Sequence, residues 1–248
     1  MVDFWTELKT PDGLPDYSVR ISARARRAHL KVTPFGQIEV VIPRGFDPGR
    51  VPGFVLQHRD WLQRALARVA GVRGHQPELN DPLPQRVSLL ALEERWRVRY
   101  QAAARRQARA AEELHRVSLL KVSAANGADS RAVLRRWLTG KAKAHLVPWL
   151  QRLSDDLDLP VNKVTVRGQK TRWGSCSSQK NISINRNLLF LPASLVRYLF
   201  VHELCHTVYL NHSRNYWSLV GKIEPDYGRL DRELHGASRY VPLWAYPG

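Results

Sequence analysis

The amino-acid sequence predicts an α+β protein: an antiparallel, β-rich N-terminal region followed by a half built from helices around a short sheet. Three observations carry that expectation. Apolar residues alternate with period two in most segments up to "VSLLKVS" (117–123). A long pattern of helical period begins at Asp129. The order of segments, strands first and then helix, two strands and helices, lacks the regular strand–helix alternation of a parallel α/β sheet. No internal repeat and no low-complexity tract is apparent.

Taken in order, "YSVRIS", "AHLKVT" and "QIEVVIP" alternate like strands between residues 17 and 43, separated by the basic "ARARR" and by "PFG". They predict an antiparallel meander. "DPGRVPGFVLQHRDWLQRALARVA" has helical spacing at Val51, Phe54, Val55, Leu62, Leu66 and Val69. Asp47 suits its N-cap and Pro48 its first position. Residues 71–84, rich in Gly, Pro and Asn, read as a loop. "RVSLLAL", "RWRVRYQ" and "VSLLKVS" read as strands, whereas "AAARRQARAAEELH" reads equally as short helix or loop. The helix from Asp129 contains Gly140 and Pro148 and ends near Leu157, before Pro160. Strands "KVTVRG" (163–168) and "NISINRN" (181–187) flank a polar turn, and a helix follows Pro192 and Ser194. The domains expected are a β-rich region with one helix over 1–125 and a second unit over 126–248, or one continuous domain.

Composition excludes several classes. The N-terminus "MVDFWTELKTPDG" has early acids and no apolar h-region, so no signal peptide is expected. No apolar run approaches the roughly 18 residues of a membrane span. Cys176 and Cys205 form no disulfide framework, and a cytoplasmic location is the simplest reading. Lys and Arg number 39 against 22 Asp and Glu, for a net charge of +17. Residues 1–160 hold 27 basic and 17 acidic side chains and residues 161–248 hold 12 and 5, so the excess is spread along the chain. Such a field favours nucleic acid, nucleotide phosphates or another polyanion. It is equally read as a preference for Arg (30, against 9 Lys) as the solvated residue.

The chemistry concentrates in "YLFVHELCHTVYLNHSRNYW" (198–217). His202 and His206 stand four apart, so both imidazoles leave one helix face about 6 Å apart and can reach one metal ion at about 2.0–2.1 Å. Glu203 lies about 100° round the helix, placed to take a proton without becoming a ligand. This is the H-E-x-x-H arrangement of zinc hydrolases. In this composition about 0.013 chance matches are expected, which makes accident a poor explanation. The flanking "SLVRYLFV" and "TVYL" are apolar enough to bury the helix, where two histidines and a glutamate would each need a partner. A third ligand is required to leave one open position. His212 reaches the metal only if the helix ends and turns back near 209–211, with Asn211 in the left-handed conformation and Ser213 capping the next helix. Glu224, Glu233 and His235 are its rivals.

Upstream stands "KTRWGSCSSQKNISINRNLLFLPASLVRYLFVHELCH". A W-G-S-C turn, a strand ending in Asn, a Leu-rich exit, Pro, H-E-x-x-H and an N-H-S-x-x-[FY]-W tail resembles the YgjP-like family of metal-dependent hydrolases, related to SprT-like and other zincin-fold metallopeptidases. The likeness continues through "PDYGRLDREL" (225–234) and, more weakly, to "RISARARRAHLKVTPFGQIEVVIPRG" and "RDWL". It is loose over 71–130, where "ALEERWRVRY" carries Glu in place of the family's common Gly. The resemblance implies one zinc held by His202, His206 and His212, Glu203 as general base, and a zincin-like core over 126–248 with the 181–187 strand beside the active-site helix.

In "TRWGSCSS", Arg172, Ser175 and Cys176 could line a cleft; equally, Trp173 plugs the core and Gly174 permits a tight turn. Cys205 reads as a small buried apolar residue, and Cys176 as a fourth ligand would close the site. Tyr209, Tyr216 and Tyr227 are either transition-state donors or core, and Arg172, Ser175 and Tyr209 are carried forward as substrate-binding candidates. His29, His58, His75, His115 and His145 read as structural or exposed. The function expected is a zinc-dependent hydrolase in which a metal-activated water attacks with Glu203 as general base, most simply a metallopeptidase. A nucleoside triphosphate pyrophosphohydrolase on the same zinc is the alternative. A nucleic-acid-associated binding protein with a structural zinc is the second.

Overall fold

Alternating and continuous apolar runs sort the N-terminal strands into edge and centre. The computed structural model describes residues 4–6, 15–33, 36–74, 79–114, 118–170 and 172–246. The chain divides into two compact units, Met1–Pro77 and Glu78–Gly248. In the first, β1 (Phe4–Thr6), β2 (Tyr17–Ser22), β3 (His29–Val32) and β4 (Ile38–Pro43) form one sheet of order β1-β2-β4-β3. It is not the expected antiparallel meander, because β2 and β4 pair in parallel. The reason lies in β4, whose Ile38, Val40, Val41 and Ile42 are all buried and so favour a central place. The half-exposed β3 takes the edge and pairs antiparallel with it. Asp47 accepts a hydrogen bond from Gly49 N at 2.9 Å and opens a single 3-10 turn. Helices α1 (Val51–Gln57) and α2 (Arg59–Gly74) follow. Val51, Val55 and Leu62 complete a core with Tyr17, Val19, Ile38, Val40 and Ile42.

The second unit opens with β5 (Arg86–Leu89), β6 (Glu94–Ala102), β7 (Arg109–Leu114) and β8 (Ser118–Ala124), in the order β5-β6-β8-β7. Antiparallel outer pairs flank a parallel central pair, as in the first sheet. The buried pair Val98–Leu120 corresponds to Val19–Val40. A four-strand-plus-helix topology therefore occurs twice, a repeat that no sequence period announces. The ambiguous 102–115 stretch supplies β7. Pairing with β8, a Trp137 Nε1 bond to Glu112 at 2.6 Å and a Lys121–Glu113 ion pair at 2.6 Å override its Ala/Glu helix preference. The division between the units falls at 77/78, whereas the sequence reading offered a boundary at 125/126 or one continuous domain. Helix α3 (Gly127–Asp156) packs on β8, which ties the second sheet to the C-terminal half.

Asn126 caps α3 through Asp129 N at 2.9 Å. Beyond α3, β9 (Lys163–Arg167), β10 (Gly174–Cys176) and β11 (Asn181–Asn185) form a sheet of order β10-β11-β9, with β9–β11 parallel and β10–β11 antiparallel. The polar turn read from the sequence thus contains a strand. Helix α3 packs on β9, and β10 is the strand that packs on α4 (Ala193–Cys205). The strand expected beside that helix, 181–187, instead supplies the centre of the sheet. Helices α5 (Arg214–Ile223) and α6 (Tyr227–His235) pack on α4, which is apolar around most of its circumference. No described helix is long and apolar enough to cross a membrane.

Candidate metal centre

Helix α4 is held as a core element by Leu195, Val196, Leu199, Phe200, Val201 and Leu204, all nearly inaccessible. Its last turn therefore emerges from a rigid, dry surround. His202 and His206 share one face there, with ring centroids 5.0 Å apart. Regular helix stops at Cys205. Thr207 N and Val208 N switch to carbonyls three residues back, at 2.9 and 3.1 Å, and Thr207 Oγ1 donates to Leu204 O at 2.7 Å.

The chain then reverses and returns His212 to the face of His202 and His206. The expected left-handed Asn211 is not used: the described non-glycine residues with positive φ are Glu93, Asp158 and Lys180. The tightened hydrogen bonds after Cys205 end the helix early enough to make a left-handed residue unnecessary. Ser213 Oγ accepts from Tyr216 N at 3.4 Å and starts α5. Tyr216 is fully buried; its ring stacks on His206 (centroids 4.5 Å apart) and its hydroxyl donates to His202 O at 3.1 Å. It braces His202 and His206 and has no free hydroxyl for a substrate.

The donor set suits a zinc-type ion. One nitrogen from each of His202, His206 and His212 lies within 4.8 Å of the other two, the only such His/Cys/Asp/Glu group among the described residues. His202 Nε2 and His212 Nε2 are 3.3 Å apart. Two ligands at about 2.05 Å from a tetrahedral ion are separated by about 3.3 Å. His206 Nδ1 lies 2.9 Å from Tyr209 O, so it carries the proton and leaves Nε2 with its lone pair. Burial, then His206 and His212, pushes the His202 pKa down to about 4, and burial lowers that of His206. Both imidazoles are therefore neutral at pH 7, as ligands must be. His202 turns Nε2 toward His212, and its other nitrogen, Nδ1, is buried with no hydrogen-bond partner.

Glu203 is 5 % exposed, and burial pushes its pKa up to about 8, partly offset by Arg172. A dication nearby would favour its ionised form. Gly174 on β10 faces it: a Cβ there would lie 2.5 Å from Glu203 Oε1. The glycine of W-G-S-C is thus needed for the approach of a carboxylate, not for a tight turn. Neighbouring Trp173 donates from Nε1 to Leu234 O at 3.2 Å.

A cleft of about 530 Å³ opens beside the histidines, walled by Arg172, Trp173, Leu199, Trp217 and Leu234, with Asp231 and His235 at its border. Of the substrate-binding candidates only Arg172 lines it. Ser175 lies within β10, paired with Ser183, and Tyr209 contributes its carbonyl to His206. Glu224 pairs with Arg197 and Glu233 with Arg229 at 3.0 Å, and none of Glu224, Glu233 and His235 belongs to the group of converging donor atoms. The Cys176 thiol is pushed up to about 11 by burial and by Glu203, and the fully buried Cys205 up to about 12, so neither is a thiolate. His29 and His58 face the backbone carbonyls of Arg27 and Phe54, His145 is exposed, and His75 and His115 lie outside the described residues. Asp231 and Leu234 escaped the sequence reading, which named His235 only as a rival ligand, although the i, i+3, i+4 spacing of the three marks one face of α6.

A crystal structure of the metallopeptidase zymogen of Pyrococcus abyssi abylysin is similar at 24% identity, covering 37% of this chain and 94% of that one, with a TM-score of 0.33. No curated protein matches. The family model for the YgjP-like metallopeptidase domain matches residues 26–237, which include β3 and β4 of the first sheet, the His triad and Glu203. With most of its length inside that match, the chain belongs to the YgjP-like metallopeptidase family.

Proposed function

We propose that the chain is a zinc-dependent peptidase with Glu203 as its general base. The observation that carries this reading is the convergence of three histidine nitrogens beside a buried glutamate whose carboxylate is lodged against Gly174. His202, His206 and His212 hold the ion, which when bound acidifies water and polarises an oxygen of the substrate. Glu203 accepts a proton from the attacking water and passes it to the amide nitrogen as the C–N bond breaks. Its enclosure shields that transfer from bulk solvent. Arg172, whose field already acts on Glu203, offers a positive charge to the substrate's developing oxyanion. Trp173, Leu199, Trp217 and Leu234 supply apolar walls suited to a peptide side chain.

The competing substrate is a nucleoside triphosphate, supported by Arg172 in the cleft and the charge of +17. Turnover of unstructured peptides and of nucleoside triphosphates by the zinc-loaded protein separates the two, with Glu203→Gln as the blank. Peptide cleavage that disappears in Glu203→Gln while zinc stays bound supports the peptidase. Hydrolysis of triphosphates alone would replace it. Polyanion binding that survives Glu203→Gln, with no turnover in the parent, would favour a nucleic-acid-binding protein with a structural zinc.

A further inference from the structure

Away from the histidine cleft, one face of α3 is built in a way that stability does not explain. Ala132, Arg135, Arg136, Thr139, Gly140 and Lys143 recur at helical spacing and, with Arg186 from the turn after β11, line a cavity of about 450 Å³. Its lining holds four cations and no carboxylate. Arg135 and Arg186 are partly buried, and their partners are neutral. Arg135 Nη1 donates to Trp244 O at 3.3 Å; Arg186 donates from Nη1 to Thr139 Oγ1 at 3.2 Å and from Nη2 to Ala245 O at 3.0 Å. Arg186 Nε is buried with no partner. Burial, and then the neighbouring Arg135, holds the Arg186 guanidinium below its ordinary pKa, so its charge is uncompensated.

Two glycines shape the place. A Cβ at Gly168 would come within 2.5 Å of Arg186 Cζ, so the guanidinium lies directly on the backbone there. Gly140 stands in the middle of α3, where glycine disfavours helix, yet nothing lies within 4 Å of where its Cβ would be. No close packing demands that glycine; the missing side chain leaves the cavity floor open between Arg136 and Lys143. Planar guanidiniums held in place, with exposed Arg136 and Lys143 at the mouth, match the charge and fork geometry that recognise a phosphate oxyanion.

We propose that Arg135, Arg136, Lys143 and Arg186 form a binding site for a phosphate group, separate from the histidine cleft. The site stands whether the metal centre cuts peptides or nucleotides. Inorganic phosphate and pyrophosphate are titrated into the full-length, zinc-loaded protein at constant ionic strength, with chloride as the balancing anion, and phosphorus NMR line width and thermal unfolding are followed. Saturable binding is expected, and it persists in His212→Ala, which disables the metal centre. It weakens about tenfold or more in the double variant Arg136→Gln/Lys143→Gln, whose exposed positions leave the fold intact. Arg186→Gln removes it. A parent without saturable binding, or a double variant that binds as well as the parent, would overturn the site. A single-stranded oligonucleotide is then added to the phosphate-bound protein. Displacement identifies a nucleic-acid phosphodiester as the source, and undisturbed phosphate identifies a small phosphorylated molecule; the site is upheld either way.

Discussion

Replacing Gly174 by alanine adds one methyl group at the contact between β10 and α4. The new Cβ would stand 2.5 Å from Glu203 Oε1 and 2.9 Å from its Cγ and Cδ. Ordinary contact begins at 3.4 Å, so the carboxylate or the strand must move by about 0.9 Å. Overpacking of this kind costs about 1–3 kcal/mol, and a catalytic group misplaced by about 1 Å loses roughly 10²-fold in rate. The assay is a double-mutant cycle read by urea unfolding, with zinc content and turnover measured alongside. Gly174→Ala should lower stability and turnover while zinc remains bound at the histidines. In a Glu203→Ala background, where every atom that the methyl would strike is gone, the same substitution should cost close to nothing. Equal stability costs in the two backgrounds would refute the contact and, with it, the role assigned to the glycine of W-G-S-C.

Glu203→Gln should reduce turnover by about 10²–10⁴-fold with unchanged zinc stoichiometry; activity near that of the parent would remove Glu203 as base. In chelator-treated protein, Glu203, with its pKa raised from 4.5 to about 8, contributes stability that is full at acid pH and is lost as pH rises through 8. His202, lowered from 6.5 to about 4, acts in the opposite sense only below pH 6.5. Stability should therefore fall by about 2 kcal/mol from pH 6.5 to 8, and a parent as flat as Glu203→Gln in urea titrations contradicts this. Tyr216→Phe deletes the bond to His202 O and should cost about 0.5–1.5 kcal/mol, whereas Tyr216→Ala also unseats His206 and should weaken zinc affinity about 10–100-fold, read by competition with a chromogenic chelator. Ser213→Ala removes the α5 cap and should destabilise by about 1 kcal/mol, measured by thermal unfolding.

Much of this was legible in the order of residues, for a physical reason in each case. His202, Glu203 and His206 are related through one helical turn, and helical periodicity is local, so their common surface followed from spacing and flanking apolar residues. Asp47, Asn126 before α3, and Ser213 lie where helices start, and two of these caps were readable from side-chain chemistry alone. The long α3 and most strands followed from periodicity, whereas β7 did not, because cross-strand pairing and two anchored glutamates overrode an Ala/Glu-rich segment.

By itself the sequence determined an α+β chain with a histidine pair and glutamate on a buried helix, because composition, caps and periodicity act within a few residues. Only the tertiary structure decided that β2 and β4 run parallel, that the units part at 77/78, that a tightened helix end brings His212 to His202 and His206, and that Gly174 makes room for Glu203. Each of these depends on which segments, distant along the chain, come to lie against one another, and no local pattern of residues encodes the distance between them.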